Sequence, residues 1–210
     1  IGWIRIPNTN VDYPVVYKAG VENYAYYESK GYDKQYSKDG VIWADYECTF
    51  PELSQNTTLY GHNWHNIYTP RTQANMQAND LMFSLVMSYN YTDFAQENPF
   101  IYFSTTEQDY VFQVFASYYT DLNFGYNYAQ MSQEDFQKVI AEAKAKSLSN
   151  YNVPVTSEDK IVTLSTCTRV HGNTNNQRFV VMAKLVPVGT PSTTISTHSN
   201  PIAYNSSIDA

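Results

Sequence analysis

The sequence predicts a mixed α+β domain, mainly β, built on a closed or nearly closed barrel of about eight strands with helices inserted between them. Three observations point there. Short β-rich runs recur along most of the chain, separated by clusters of Pro, Asn, Gly and Thr that favour turns. One long segment repeats apolar residues at clear helical spacing. The 210 residues suffice for one domain that buries about 70% of its unfolded surface without a covalent staple.

The elements follow in order. Residues 1–6 (IGWIRI) and 11–16 (VDYPVV) flank Pro7-Asn8-Thr9-Asn10 and read as a hairpin. Residues 21–28 read as a short helix, and 41–44 and 57–60 as short strands. Residues 79–89 and then 92–97 read as helical, with Pro99 ending the run because the residue before a proline is pushed out of helical geometry. Two strands follow, 100–104 and 110–119, joined by the polar stretch TTEQD. The clearest helix starts after Ser132, whose hydroxyl is placed to cap the amide of Asp135. Glu134 and Asp135 sit at its positive end, Lys144 and Lys146 near its negative end, and Phe136, Val139, Ile140 and Ala143 share one face. Residues 161–167 and 179–186 supply the last two strands. From 187 to 210 the chain is rich in Ser, Thr, Asn and Pro with no apolar period, so it divides into a domain at 1–186 and a flexible polar tail at 187–210.

Composition removes several classes of function. Charged residues make up 16% where about 25% is usual, the net charge is −7, and 20 Tyr, 10 Phe and 3 Trp raise the aromatic share to 16%. An acidic chain without clustered Lys and Arg is a poor polyphosphate reader, and so many aromatics argue against disorder. No apolar run approaches the ~20 residues that span a bilayer. The chain opens on Ile1 inside a strand-like run rather than on Met, so the expectation is a removed N-terminal piece with room for a signal or anchor. Only Cys48 and Cys167 are present, which excludes a disulfide scaffold, and His62-Asn63-Trp64-His65 lacks the third ligand and the helical setting of a metal site.

The chemistry concentrates on the last hairpin. Alternation along residues 161–167 places Thr163, Ser165 and Cys167 on one face. Arg178 opens the next strand after a loop rich in Gly and Asn, so an antiparallel pair brings a thiol and a guanidinium together. The guanidinium is charged at any working pH; it favours the thiolate and can donate to an oxyanion formed where that thiolate attacks. His62 follows a short strand and Gly61, which would let the backbone turn sharply, and supplies an acid/base partner. Arg169 is the rival guanidinium, His171 a solvated loop residue and substitute base, and Cys48 an inert thiol.

These residues carry a resemblance. TLSTC at 163–167, YGHN at 60–63 and the Arg opening RFVVMAKL resemble the sortase family of Gram-positive surface transpeptidases. The opening IGWIRIPNTNVDYPVV and the long helix before TLSTC are similar to class B sortases in particular. The resemblance implies an eight-stranded sortase-type barrel with His62, Cys167 and Arg178 as catalytic residues, Ser165 and Thr166 lining the substrate groove, and no cofactor or metal. Tyr26-Tyr27 stand where class B sortases carry a leucine-like residue, which makes Tyr27 a candidate contact to the front of the substrate, and residues 120–128 fall where a substrate wall is commonly built.

The implied reaction is cleavage of an NPQTN-like C-terminal sorting motif after Thr, through an acyl-enzyme, with transfer to a cell-wall amine. The implied partners are surface or pilin proteins bearing sorting signals, with a peptidoglycan precursor or a pilin amine as acceptor, at the extracellular face of the plasma membrane. The alternatives are a pilin polymerase joining chains through a Lys amine, a cysteine peptidase that only hydrolyses, and a non-enzymatic surface-binding module. Asn200-Pro201 in the tail begins like a class B sorting motif, a match that chance explains better than a visit to the groove.

Overall fold

In the computed structural model, which describes residues 1–207, Pro7-Asn8-Thr9-Asn10 turns the chain back on itself, with Asn8 in the left-handed region at φ 55°. The turn joins β1 (Gly2–Arg5) to β2 (Asp12–Val16) as antiparallel neighbours. β3 (Ile42–Ala44), β4 (Asn56–Tyr60), β5 (Phe100–Thr105), β6 (Asp109–Asp121), β8 (Ile161–Cys167) and β9 (Gln177–Val186) complete a closed barrel in the order β1-β2-β3-β4-β8-β9-β6-β5, and β1 pairs with β5 to close it. The expected eight-stranded barrel is present.

Not every neighbour is a hairpin partner. β2 and β3 run parallel, and so do β4 and β8, in the register Asn56↔Ile161 through Tyr60↔Ser165. β6 is the longest strand, at 13 residues, and a bulge between Val114 and Ala116 lets it curve while pairing with both β5 and β9. Inward side chains such as Ile4, Leu59, Phe103, Phe112 and Leu164 are fully buried, each contributing roughly 1.5–3 kcal/mol.

α1 (Thr92–Glu97) and α2 (Gln133–Lys146) lie outside the barrel. α2 starts as its sequence predicts, with the Ser132 hydroxyl accepting from the Asp135 amide at 3.1 Å, and it buries Phe136, Ile140 and Ala143. Two helical readings shorten. Residues 21–28 hold only a 3-10 turn at Val21–Asn23, and residues 79–89 begin as turns before a 3-10 helix at Ser84–Asn90. In the second case Asp80 accepts from the Gln77 amide and pairs with Arg71, and Met82 sits at φ 53°, so the helical ladder cannot start earlier.

The stretch expected as a flexible tail carries regular structure. β10 (Ile195–Thr197) pairs antiparallel with β7 (Ser149–Tyr151), and the Ile202 amide donates to the Ala145 carbonyl at the end of α2. That contact places Asn200-Pro201 beside the end of α2, and neither residue lines the cavity described below. Positions 208–210 of the expected tail lie outside the described residues. Among the described residues no helix is long and apolar enough to cross a membrane.

Candidate active site

Three strand ends meet at one rim of the barrel. β4 and β8 are parallel neighbours, so both end there, and β9, antiparallel to β8, begins there. Cys167 is the last residue of β8 and its cross-strand partner is Arg178. Directly paired residues share a face with Cβ atoms about 4.5–5.5 Å apart, so the thiol and the guanidinium stem stand side by side.

His62 lies two residues past the end of β4, and hydrogen bonds stitch its loop to the end of β8. The Gly61 backbone amide donates to the Ser165 carbonyl (3.4 Å), the Thr166 hydroxyl to the Gly61 carbonyl (2.7 Å), and the Asn63 side-chain Nδ2 to the Cys167 carbonyl (3.2 Å). The imidazole is fixed in turn. It stacks on Trp64 at 5.0 Å and 29°, packs against Trp43 at 5.7 Å, and its Nε2 lies 2.5 Å from the Glu28 carbonyl. A carbonyl only accepts, so Nε2 donates and Nδ1 is the acceptor of the neutral ring.

Gly61 does not adopt the left-handed backbone open to glycine. Its role is space: a Cβ there would come within 2.5 Å of Ile42 and 2.6 Å of Phe83. Gly40 does adopt φ 60°, and a Cβ there would crowd the His62 ring at 3.0 Å.

The Arg178 guanidinium is held through Nη1, which donates to the carbonyls of Asn175 (3.0 Å) and Gln177 (2.9 Å), so the loop between Cys167 and Arg178 sets its position. A guanidinium has five donors, leaving others available to an anion near the thiol. Cys167, His62 and Arg178 line one cavity of about 310 Å³. Ser165 and Thr166 line it too, and the Ser165 hydroxyl meets the Tyr126 hydroxyl at 2.8 Å.

The rivals sit elsewhere. Arg169 donates to the Tyr68 hydroxyl (3.3 Å) and to Asn175 of its own loop (2.7 Å) and does not line the cavity. His171 packs between Tyr119 and Tyr204. Cys48 is buried in the core, and burial pushes its thiol up to about 12. The Tyr27 ring packs edge-on against Tyr26 at 4.8 Å and does not line the cavity, to which the same segment sends Tyr24, Ala25 and Glu28. The reason is that 21–28 is a run of turns rather than a helix, which changes which side chains face inward.

Sequence reasoning also missed a second cluster in the cavity. The Tyr60 hydroxyl donates to Asp45 (2.7 Å) and accepts from Asn127 (2.9 Å). Burial raises the Asp45 carboxyl above its ordinary range, against hydrogen bonds from the Glu47 amide and Tyr60 that lower it. Phe124, Tyr126 and Asn127 come from the segment flagged as a wall, but nothing local marks Asp45 beyond its place at the end of a short strand.

A buried-rimmed thiol beside a guanidinium, with an oriented imidazole stitched to the same strand end, is equipped for attack on a carbonyl and for proton transfer to a leaving amine. The sequence profile of the sortase domain matches residues 4–186. Sortase B of Staphylococcus aureus (strain NCTC 8325 / PS 47) is 30% identical over 189 residues, covering 90% of this chain and 70% of the relative. Sortase B of Listeria monocytogenes serovar 1/2a is 29% identical over 187 residues, covering 89% and 69%. A solved Staphylococcus aureus sortase B-substrate complex superposes with a TM-score of 0.73 at 29% identity, over 90% of this chain and 80% of that one. The barrel, the shared sequence and the likeness to sortase B structures together place the chain in the sortase family of cysteine transpeptidases, among its class B members.

Proposed function

We propose that this sortase cleaves a C-terminal sorting motif of the NPQTN type after its Thr and passes the acyl group to an amine of the cell wall, with Cys167 as nucleophile, His62 as acid/base and Arg178 as oxyanion partner. The cross-strand pairing of Cys167 with Arg178, at the rim where the His62 loop is sewn on, supports the reading above all. The Cys167 thiolate attacks the Thr carbonyl carbon, and charge gathers on the carbonyl oxygen where Arg178 can donate. The C–N bond then breaks, the departing amine takes a proton from the His62 imidazolium, and a thioester remains. An acceptor amine attacks the thioester, gives its proton to His62, and the C–S bond breaks to restore the thiolate.

The cavity suits an uncharged extended peptide. Tyr24, Tyr60, Phe124 and Tyr126 offer aromatic contact, and Ser165 and Asn127 offer hydroxyl and amide groups. The substrates are surface or pilin proteins carrying such motifs, and the site of action is the wall-facing side of the plasma membrane.

The test incubates the protein with fluorogenic NPQTN-like and LPxTG-like peptides, with and without an oligoglycine amine. Amine-dependent product from the NPQTN-like peptide that Cys167→Ala abolishes is the expected result. Turnover surviving Cys167→Ala sinks the nucleophile assignment, and release independent of amine points to hydrolysis.

A further inference from the structure

The sortase domain match ends at residue 186, yet the chain beyond it is fastened to the domain and reaches the loop that joins Cys167 to Arg178. The fastening has three parts. β10 pairs with β7 from Ile195↔Tyr151 to Thr197↔Ser149, and the Ile195 amide donates to the Gln96 side chain at 2.7 Å. The His198 amide donates to the Leu148 carbonyl and the Ile202 amide to the Ala145 carbonyl, both at 3.0 Å. Finally the Lys146 ammonium, with its side chain only 1% exposed, donates to the carbonyls of Ala203, Tyr204 and Ser206 and pairs with Glu142 at 3.4 Å. A buried ammonium is costly unless its three donors are satisfied, and the chain after β10 supplies the acceptors, so the two fix each other.

This anchorage delivers Tyr204 to His171. The rings stack with centroids 4.6 Å apart and 14° between planes. His171 then meets Tyr119 edge-on at 4.8 Å, and Tyr119 meets Phe179, the residue after Arg178, at 5.0 Å. His171 belongs to the loop 168–176, where its amide donates to the Gln177 side chain at 3.0 Å; the same loop presents the Asn175 carbonyl to Arg178. His171 is otherwise exposed, with its ring against Tyr119 and its amide on the Gln177 side chain, so removing the Tyr204 ring takes a stacking partner from it.

We propose that residues 195–206 form a strap whose Tyr204 is a positioning residue: by stacking on His171 it holds the loop 168–176 in the conformation that keeps Arg178 aligned with Cys167. The proposal rests on Cys167 and Arg178 being the reacting pair. It adds an element outside the matched domain that acts on turnover without touching substrate.

The test compares the full chain with Tyr204→Ala, Tyr204→Phe, His171→Ala and the Tyr204→Ala/His171→Ala double variant. Hydrogen exchange at amides 169–176 is read beside kcat and KM for the NPQTN-like peptide with amine. Tyr204→Ala is expected to speed loop exchange about tenfold while α2 amides stay unchanged, and to lower kcat about three- to tenfold at unchanged KM. Tyr204→Phe keeps the ring and stays within about twofold of wild type. His171→Ala reproduces Tyr204→Ala, and the double variant is no slower than the worse single, because the two act through one contact. Wild-type loop exchange and kcat in Tyr204→Ala overturn the proposal, even if the melting temperature falls, and so do losses that multiply in the double variant. If Cys167→Ala keeps turnover, the nucleophile assignment fails instead, and the exchange measurement still decides whether the strap holds the loop.

Discussion

The two thiols of this chain are chemically alike and differ in setting. Cys167 ends a barrel strand at a half-open rim, whereas Cys48 is buried, with its thiol pushed up to about 12. At pH 8 a thiol of that kind is about one part in ten thousand thiolate, and the thiolate is the form that alkylates. Iodoacetamide at pH 8 is therefore expected to place one adduct per chain, on Cys167, read by peptide mass; comparable labelling of Cys48 would contradict its burial. At the neighbouring position, Arg178 is gripped through one nitrogen of a planar fork. A lysine ammonium is a point charge that cannot bond the loop and reach an oxyanion in the same geometry. Arg178→Lys should lower kcat/KM about tenfold to a hundredfold with the fold intact by circular dichroism; a near-wild-type rate would move the role to another donor. Gly61 suits its place through the nearness of Ile42 and Phe83, which no local pattern displays.

Among the elements, α2 is the one whose local signals all agree: cap, charge gradient and apolar face. Ser132→Ala removes the acceptor for the Asp135 amide and should cost about 1 kcal/mol in urea unfolding. The approach to β8 is clipped to β9 by Asp159, which accepts from the Thr156 amide (2.7 Å) and pairs with Lys184 (3.0 Å). Partial burial alone would raise the Asp159 carboxyl, but these partners outweigh it and hold the group below its usual range. A carboxyl depressed in the folded state contributes stability above its unfolded value, and the contribution fades as pH falls through the folded one. Asp159→Asn should thus cost up to about 1 kcal/mol at pH 7, after solvent screening, and less at pH 3. An equal loss at both values would mean that the charge is not what matters. Residues 79–89 went the other way from α2, because the Asp80 side chain competed for backbone donors that a helix would have used.

At the scale of the whole molecule, closure matters most. β1 pairs with β2 on one side and β5 on the other, so the barrel has no open edge, and Ile4 sits in that seam fully buried. Ile4→Ala should cost about 2–5 kcal/mol and leave unfolding cooperative, with tryptophan fluorescence and far-UV circular dichroism tracing one transition. Two separated transitions would show that the seam is not integral to the barrel. The sequence by itself determined the strand-rich class, the α2 helix, and the segments that carry His62, Cys167 and Arg178, because turn residues, caps and short motifs are local and legible in a few consecutive positions. Hairpin logic even paired Cys167 with Arg178, since only a short loop separates their strands. The tertiary structure alone decided that β4 runs parallel to β8 and so ends beside it, that Asp45, Tyr60 and Asn127 share the cavity while Tyr27 does not, and that the polar stretch after residue 186 straps back onto α2 and His171. Such contacts join residues far apart in the chain, and their stability comes from burial and from hydrogen bonds completed only once the barrel has closed, which no window of neighbouring residues can display.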